Sequence, residues 1–288
     1  MDGSIYGGVL DSVETMTEYE DTLELPVTAR LAMGPEVIRQ AWRLRYDAYA
    51  LHNYISQDSS NVYSDKYDFH DGSKTVVVYR GRTPVSTVRT CFYSVGCRED
   101  YRDPIPVMET FPDEVESIVS DITARKGSAR VAEVGRLARH PDFGSDEESI
   151  FALFRMVGYL LMHQRADAVI STVRKHHIGF YRRMGFRLVA GARTAKSLKL
   201  EHALMASIPN ETQQLSDVLP VMRLLSEQDS NFPNFVSGRE IPVFEPKQVD
   251  LDQGGIFARR FAGVHKPRMA PPAVVQAPRH EPAMSLAA

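Results

Sequence analysis

The stretch Ile178-Gly179-Phe180-Tyr181-Arg182-Arg183-Met184-Gly185-Phe186 decides how the chain is read. Residues 177–184 form a short helix, and Gly185 falls where a left-handed residue ends a helix. Phe186 then opens a strand running to residue 190. The aromatic pair Phe180-Tyr181 supplies the packing side of the helix. A helix that turns directly into a strand belongs in a chain that alternates the two, and the flanking sequence alternates in that way.

Upstream, residues 168–173 (Ala-Val-Ile-Ser-Thr-Val) are apolar and β-branched and read as a strand. Residues 145–165 read as a helix. Ser145 and Glu148 make a capping-box pattern, and Phe151, Phe154, Met156, Val157, Leu160 and Leu161 supply the core. Residues 130–138 form a strand. Residues 112–125 form a helix with Val115, Ile118, Val119 and Ile122 on one side and Gly127 at its end. Residues 74–79 and 85–93 form a hairpin across Gly81-Arg82-Thr83-Pro84. Residues 35–52 form a helix with Pro35 in its first turn and a stripe of Ile38, Ala41, Trp42, Ala48 and Tyr49. A strand over 22–32 precedes it and a polar loop, 56–64, follows. The last strand spans 199–206. The order β-α-β-β-α-β-α-β-α-β-β predicts an α/β (α+β) fold in which helices flank a central mixed sheet.

Outside this domain, 22–208, the composition shifts. Residues 1–21 are polar and acidic and read as a flexible arm. Residues 209–262 carry a short amphipathic stretch, Val218, Val221, Met222 and Leu225, and read as an extension packing on the domain. Residues 263–288 are Pro-rich and read as a disordered tail. Of the 288 residues, 43% are hydrophobic and 25% charged, which suffices for a core and excludes a wholly disordered chain. The longest apolar runs, such as 75–79, fall far short of the ~18–20 residues of a membrane span. Residues 1–10 lack the basic and apolar regions of a secretory signal, so a cytoplasmic location is expected. A net charge of −3 gives no electrostatic reason to expect nucleic acid. Two cysteines, Cys91 and Cys97, make neither a disulfide framework nor a zinc site. His176 and His177 have no third ligand at convincing spacing, so no metal is expected.

The junction at 178–186 resembles the late helix-strand junction of the GNAT acyltransferases, and the element order matches their layout. A second set of residues narrows the resemblance. Arg45 is followed by the aromatics Tyr49 and Tyr54, then by Asp65 and Asp68 as Asp-x-x-Asp. Arg89 lies within a strand, and Glu133 and Arg136 form Glu-x-x-Arg within a later one. This order and spacing, over about residues 38–192, resembles the acyl-homoserine-lactone (autoinducer) synthases and their relatives, the N-acyl amino acid synthases. The resemblance implies a GNAT-like, mostly antiparallel twisted sheet with helices on both faces. It also implies an acyl carrier protein as donor partner. Two departures are visible: a longer insertion between Arg89 and Glu133, and a loop over 57–64 without the apolar, Trp-containing segment usual in the lactone synthases. They favour an N-acyl amino acid synthase. The alternatives are a lactone synthase using S-adenosylmethionine and a non-catalytic acyl-carrier- or lipid-binding accessory protein.

The chemistry fits those residue types. Acyl transfer to an amine needs an acceptor for the amine's proton and donors for the developing oxyanion. Glu133 is the candidate base, and Gly135 marks a site for a bulge that would turn Glu133 and Arg136 to one side. An amino-acid acceptor carries a carboxylate that an Arg fork, Arg89 or Arg136, would hold. Arg45, Asp65 and Asp68 form a charged network shaping that pocket, lined by Tyr49 and Tyr54. Tyr181 stands where many GNAT enzymes carry the tyrosine that protonates the leaving thiolate. The loop over 139–148 has one glycine, and three carboxylates, Asp146, Glu147 and Glu148, stand in the first turn of the helix that follows, where they would repel a coenzyme A pyrophosphate. No permanently bound cofactor is expected. The donor is the acyl-phosphopantetheine of acyl carrier protein, or acyl-CoA. Arg174, Lys175, Arg182 and Arg183 form a basic cluster suited to an acidic carrier. A small amine or amino acid is the second substrate, and a lipid product would bring peripheral membrane contact.

Overall fold

Val76, Val77 and Val78 are consecutive and all fully buried. Neighbouring residues of a strand point to opposite faces, so a sheet with such a run is covered on both sides. The computed structural model, which describes residues 25–244 apart from 57 and 195–199, has this arrangement. Its elements are β1 (Val27–Leu31), α1 (Pro35–Leu51), β2 (Ser73–Arg80), β3 (Thr83–Val95), α2 (Pro112–Lys126), β4 (Ala129–Arg139), α3 (Glu147–His163), β5 (Ala168–Val173), α4 (Ile178–Arg183), β6 (Arg187–Thr194) and β7 (Glu201–Ser207). Beyond them come α5 (Leu215–Val218), α6 (Asn231–Val236) and β8 (Ile241–Pro242). The order read from the sequence is the order found, and so is the fold class.

The strands form one sheet, β6-β7-β5-β4-β3-β2-β1-β8. Every pairing is antiparallel except β4 with β5. That parallel pairing runs only through Val131↔Ala168, Ala132↔Val169 and Glu133↔Ile170. Beyond Glu133 the two strands part, and the site is built in the gap. α1 lays Val37, Ala41 and Leu44 on Val77 and Tyr79. α2 packs Val115, Ile118, Val119 and Ile122 into a core with Val131, Ile170 and Leu204. α3, buried along most of its length, lies against β1, β2 and β3.

Three local expectations are corrected. The buried stripe of α1 is Val37, Ala41, Leu44, Arg45, Tyr46 and Ala50, rather than the one through Ile38, Trp42, Ala48 and Tyr49. A charged side chain inside the stripe moved the apparent apolar face. The cap of α3 is Asp146, one residue after Ser145; its carboxylate accepts from Ser149 N–H and is itself held by Arg80, which places it better than a serine. The strand expected from 22 begins at Val27, and the one expected to end at 190 continues to Thr194. The arm over 1–21, the tail over 263–288 and Lys199 lie outside the described residues.

Residues 209–244 return across α3 and α4. Leu225 lies against Gly158, where a Cβ would meet its Cδ1 at 2.4 Å, and the carbonyl of Val218 would stand 2.0 Å from a Cβ on Gly185. Gly185 is also at φ 90, so both its backbone conformation and its neighbour demand glycine. Tyr159 of α3 packs on the rings of Phe232 and Phe235 at 5.4 and 5.8 Å.

Candidate active site

The Asp-x-x-Asp spacing closes a single 3-10 turn, Lys66–Phe69. Asp65 accepts from Tyr67 N–H, and Asp68 reaches back to accept from Asp65 N–H. The turn holds both carboxylates towards three arginines from three elements. Arg45, completely buried on α1, donates to Asp68 at 2.7 Å. Arg89 of β3 donates to Asp65 at 2.6 and 3.2 Å and lies 2.9 Å from Asp68. Arg136 of β4 donates through Nε and Nη2 to Asp65 at 3.0 and 2.8 Å. The result is a chain, Arg45–Asp68–Arg89–Asp65–Arg136, with three cations and two anions. Burial works to raise the Asp65 pKa, but the hydrogen bonds and charges of Arg89 and Arg136 outweigh it and hold the group at about 2. Burial likewise opposes, and Arg45 and Arg89 overcome, the same tendency in Asp68, whose pKa is lowered.

Glu133 sits where β4 and β5 part. The register between β3 and β4 slips between Thr87 and Arg89, and Arg136 takes φ 54. The bulge suggested at Gly135 therefore centres one residue later, on an arginine. A non-glycine residue in this region costs about 1 kcal/mol or more, and here the fork on Asp65 holds it there. In a regular strand Glu133 and Arg136 would face opposite ways. The extra residue lets both line one cavity. Glu133 is 4% exposed, and its Oε2 accepts from Val107 N–H at 2.8 Å. Burial pushes its pKa up to about 7, against the opposing pull of the Val107 hydrogen bond and of Arg89 and Arg136.

The cavity, about 490 Å³, opens through the gap. Tyr49, Tyr54, Glu133, Arg136, Ser171, Arg174 and Tyr181 are among its walls. Ser171 Oγ donates to the Val134 carbonyl at 2.8 Å, satisfying a group that the lost ladder would leave unpaired. Tyr181 bonds to Ser171, and burial raises its pKa, so it holds its proton at neutral pH. Tyr49 meets Tyr63 edge-on at 5.1 Å, and Tyr63 lies under the Arg136 guanidinium at 5.5 Å. Arg174 donates to the Tyr54 hydroxyl. Cys91 also lines the cavity, but burial pushes its thiol up to about 11, so it is no thiolate nucleophile.

The structure thus brings Arg45, Asp65, Asp68, Arg89 and Arg136 into one connected group and sets Glu133 beside Arg89 and Arg136 on the cavity wall, with Tyr49, Tyr54 and Tyr181. It divides the basic cluster: Arg174 turns into the cavity, whereas Lys175, Arg182 and Arg183 are exposed. Three contributors carried no sequence signal: Val107 N–H, Tyr63 and Ser171. Val107 N–H comes from the long insertion before Glu133, and a backbone donor has no side chain to betray it. Tyr63 sits in a polar loop, and Ser171 looks like any small strand residue.

A mostly antiparallel sheet opened between the parallel strands β4 and β5 and flanked by helices is a GNAT-like fold. The chain belongs to the FeeM N-acyl amino acid synthase family, whose model matches residues 40–207. The structure of FeeM, an N-acyl amino acid synthase from uncultured soil microbes, is similar at a TM-score of 0.53 and 14% identity, covering 69% of this chain and 98% of that one. The acyl-homoserine-lactone synthase LasI is similar at a TM-score of 0.48 and 12% identity, covering 70% and 97% of the two chains. The CoA-dependent acyl-homoserine lactone synthase BjaI gives 0.46 and 15%, covering 66% and 88%. No curated protein matches the sequence. The protein is an acyltransferase, and no helix among the described residues is long and apolar enough to cross a membrane.

Proposed function

We propose that the protein transfers a medium- or long-chain acyl group from the phosphopantetheine thioester of an acyl carrier protein to the α-amine of an amino acid, by direct attack. The observation that carries this reading is the Glu133 carboxyl, buried at the fork of β4 and β5 with a pKa near 7 and beside Arg136. A base poised near the working pH is half ionised and still gives up its proton readily. The amine nitrogen attacks the thioester carbonyl, and its proton passes to Glu133. Backbone N–H groups of β4 that face the gap stabilise the oxyanion. The C–S bond breaks as the amide forms, and Tyr181 protonates the leaving thiolate. Ser171 orients the Tyr181 hydroxyl.

Arg136 is the favoured holder of the acceptor's carboxylate. Its Nε and Nη2 are engaged by Asp65, which leaves Nη1 for a ligand, whereas both terminal nitrogens of Arg89 are occupied by Asp65 and Asp68. The network's surplus positive charge favours the same ligand. Tyr49 and Tyr54 shape the wall beside it. The donor reading is supported by the start of α3. Asp146 caps it, and Asp146 and Glu148 both pair with Arg80, so the helix presents carboxylates where a pyrophosphate would need free N–H groups. Lys175, Arg182 and Arg183 offer an acidic carrier a docking face.

Mass spectrometry of lipid extracts from a bacterial host expressing the protein, beside a Glu133→Gln control, tests the reading. N-acyl amino acids that vanish in the control support it. Homoserine-lactone masses would replace the acceptor, and no acylated product from folded protein supplied with a carrier would refute it.

A further inference from the structure

The two faces of the sheet divide the cavity between them. Cys91 of β3, Ile170 of β5 and Leu204 of β7 all pack in the core under α2. Alternate residues of a strand share a face, and so do residues paired across two strands. Glu133 is paired with Cys91 and therefore points to the α2 side. Arg174, four residues after Ile170 and still extended at φ −68 and ψ 150, points to the same side. His202, two residues before Leu204, does so too. Ser171 points the other way, towards Tyr181. Arg174 and His202 thus stand with the base, on the side where the amine attacks, and not with the acid that serves the leaving thiolate.

Arg174 has no anionic partner there. It donates to the neutral Tyr54 hydroxyl, lies over that ring at 5.5 Å, and pairs with no carboxylate among the described residues. The two carboxyls of the cavity wall are engaged elsewhere. Glu133 accepts from Val107 N–H, and Glu109 pairs with Lys66 at 3.0 Å and accepts from the Tyr67 hydroxyl. His202 Nδ1 is buried with no hydrogen-bond partner. Burial and the charges of Arg136 and Arg174 lower the His202 pKa, against the pull of the Leu200 carbonyl, so the ring is neutral and both cations stand near it. A wall of tyrosines links the two arginines. Arg136 lies over Tyr63 at 5.5 Å, Tyr63 meets Tyr49 at 5.1 Å, and Tyr54 N–H donates to the Tyr49 carbonyl at 2.9 Å. Uncompensated charge in a half-enclosed space is unfavourable, and so is an orphaned buried nitrogen. One small molecule with two anionic groups would satisfy Arg136, Arg174 and His202 together.

We propose that the amine acceptor is a dicarboxylic amino acid, aspartate or glutamate, whose α-carboxylate is held by Arg136 and whose side-chain carboxylate is held by Arg174 and by Nδ1 of His202. This rests on the acyl-transfer reading above and names its acceptor. The two carboxyl carbons of such a molecule are roughly 4–5 Å apart, and its amine is one bond from the α-carbon, so the amine lies beside Glu133 while both carboxylates are held. A neutral imidazole carries its proton on either nitrogen, so Nδ1–H is available to a carboxylate. Arg174 then sets the acceptor's specificity.

Amide formation by the full chain, supplied with an acyl carrier protein thioester and the twenty amino acids in equal amounts, tests it. Product ratios read by mass spectrometry are ratios of kcat/KM. Aspartate against asparagine, and glutamate against glutamine, differ by one charge at nearly constant shape. At least one acid should exceed its amide about tenfold or more, the scale of one charge-assisted hydrogen bond. In Arg174→Gln the ratio should fall to within about twofold at unchanged melting temperature. Equal product from acid and amide, or a neutral amino acid as the main product, overturns the acceptor class and leaves acyl transfer standing; neither result needs a variant to fold. A ratio that survives the substitution also overturns it. Calorimetric titration of the same protein with the four amino acids reads the pocket without turnover. A tenfold preference for an acid without any N-acyl product would sustain the pocket and refute the reaction. No preference in the titration and no product would refute both.

Discussion

Glu133→Gln should make the protein more stable as it makes it inactive, and the gain should grow with pH. The native carboxyl has its pKa raised from 4.5 to about 7, chiefly by burial. A raised carboxyl binds its proton more tightly folded than unfolded, so stability falls as pH climbs from the unfolded pKa through the folded one. The full shift corresponds to roughly 3 kcal/mol, reached above pH 7. At pH 5 the unfolded chain has lost only part of its proton and the penalty is about 1 kcal/mol; at pH 8 it is about 3 kcal/mol. Glutamine keeps an oxygen for Val107 N–H and never ionises. Urea denaturation of both proteins at pH 5 and pH 8 reads the difference. The variant should gain about 2 kcal/mol more at pH 8 than at pH 5. A gain independent of pH, or a variant less stable at both, would show that Glu133 does not carry a burial-raised pKa. A base kept at the expense of stability is the usual mark of a site selected for chemistry.

Other consequences separate structure from chemistry in the charged chain. Arg45→Ala leaves buried Asp68 with Arg89 and the Asp65 N–H as its remaining partners and should cost about 2–4 kcal/mol in the same denaturation assay; a loss below about 1 kcal/mol would mean the pair is not buried as described. Arg136→Ala should raise the KM for the amino acid about ten- to a hundredfold with a smaller effect on stability, and an unchanged KM would remove it from the acceptor site. Tyr181→Phe should lower kcat while leaving both KM values within about twofold; normal turnover would end its role as the acid. Gly185→Ala places a methyl against the Val218 carbonyl at a left-handed position and should lower the melting temperature by several degrees, measured by calorimetry.

The sequence showed the fold because its elements are regular. The Gly185 stop, the hairpin at Gly81 and the β-branched run at 168–173 each have a local cause, and local causes are legible. The α1 stripe was misread because Arg45 stands in it. Hydrophobic patterning scores an arginine as exposed, whereas a partner 23 residues away at Asp68 makes its burial tolerable. The candidate site was readable where spacing reflects local geometry: Asp65 and Asp68 cap one turn. The bulge was anticipated at the glycine but settled on Arg136, because a tertiary hydrogen bond to Asp65 outweighs local backbone preference. The hydrogen bond from Val107 to Glu133 depends on which segments meet across the gap, and composition carries no trace of that.

The most direct test of Glu133 as base is the pH dependence of amide formation by the purified protein with acyl carrier protein thioester and amino acid. The rate should rise between pH 5.5 and 8.5 with an apparent pKa near 7, and Glu133→Gln should abolish both the rate and the transition. A rate that does not titrate near 7, or that survives the substitution, would contradict it.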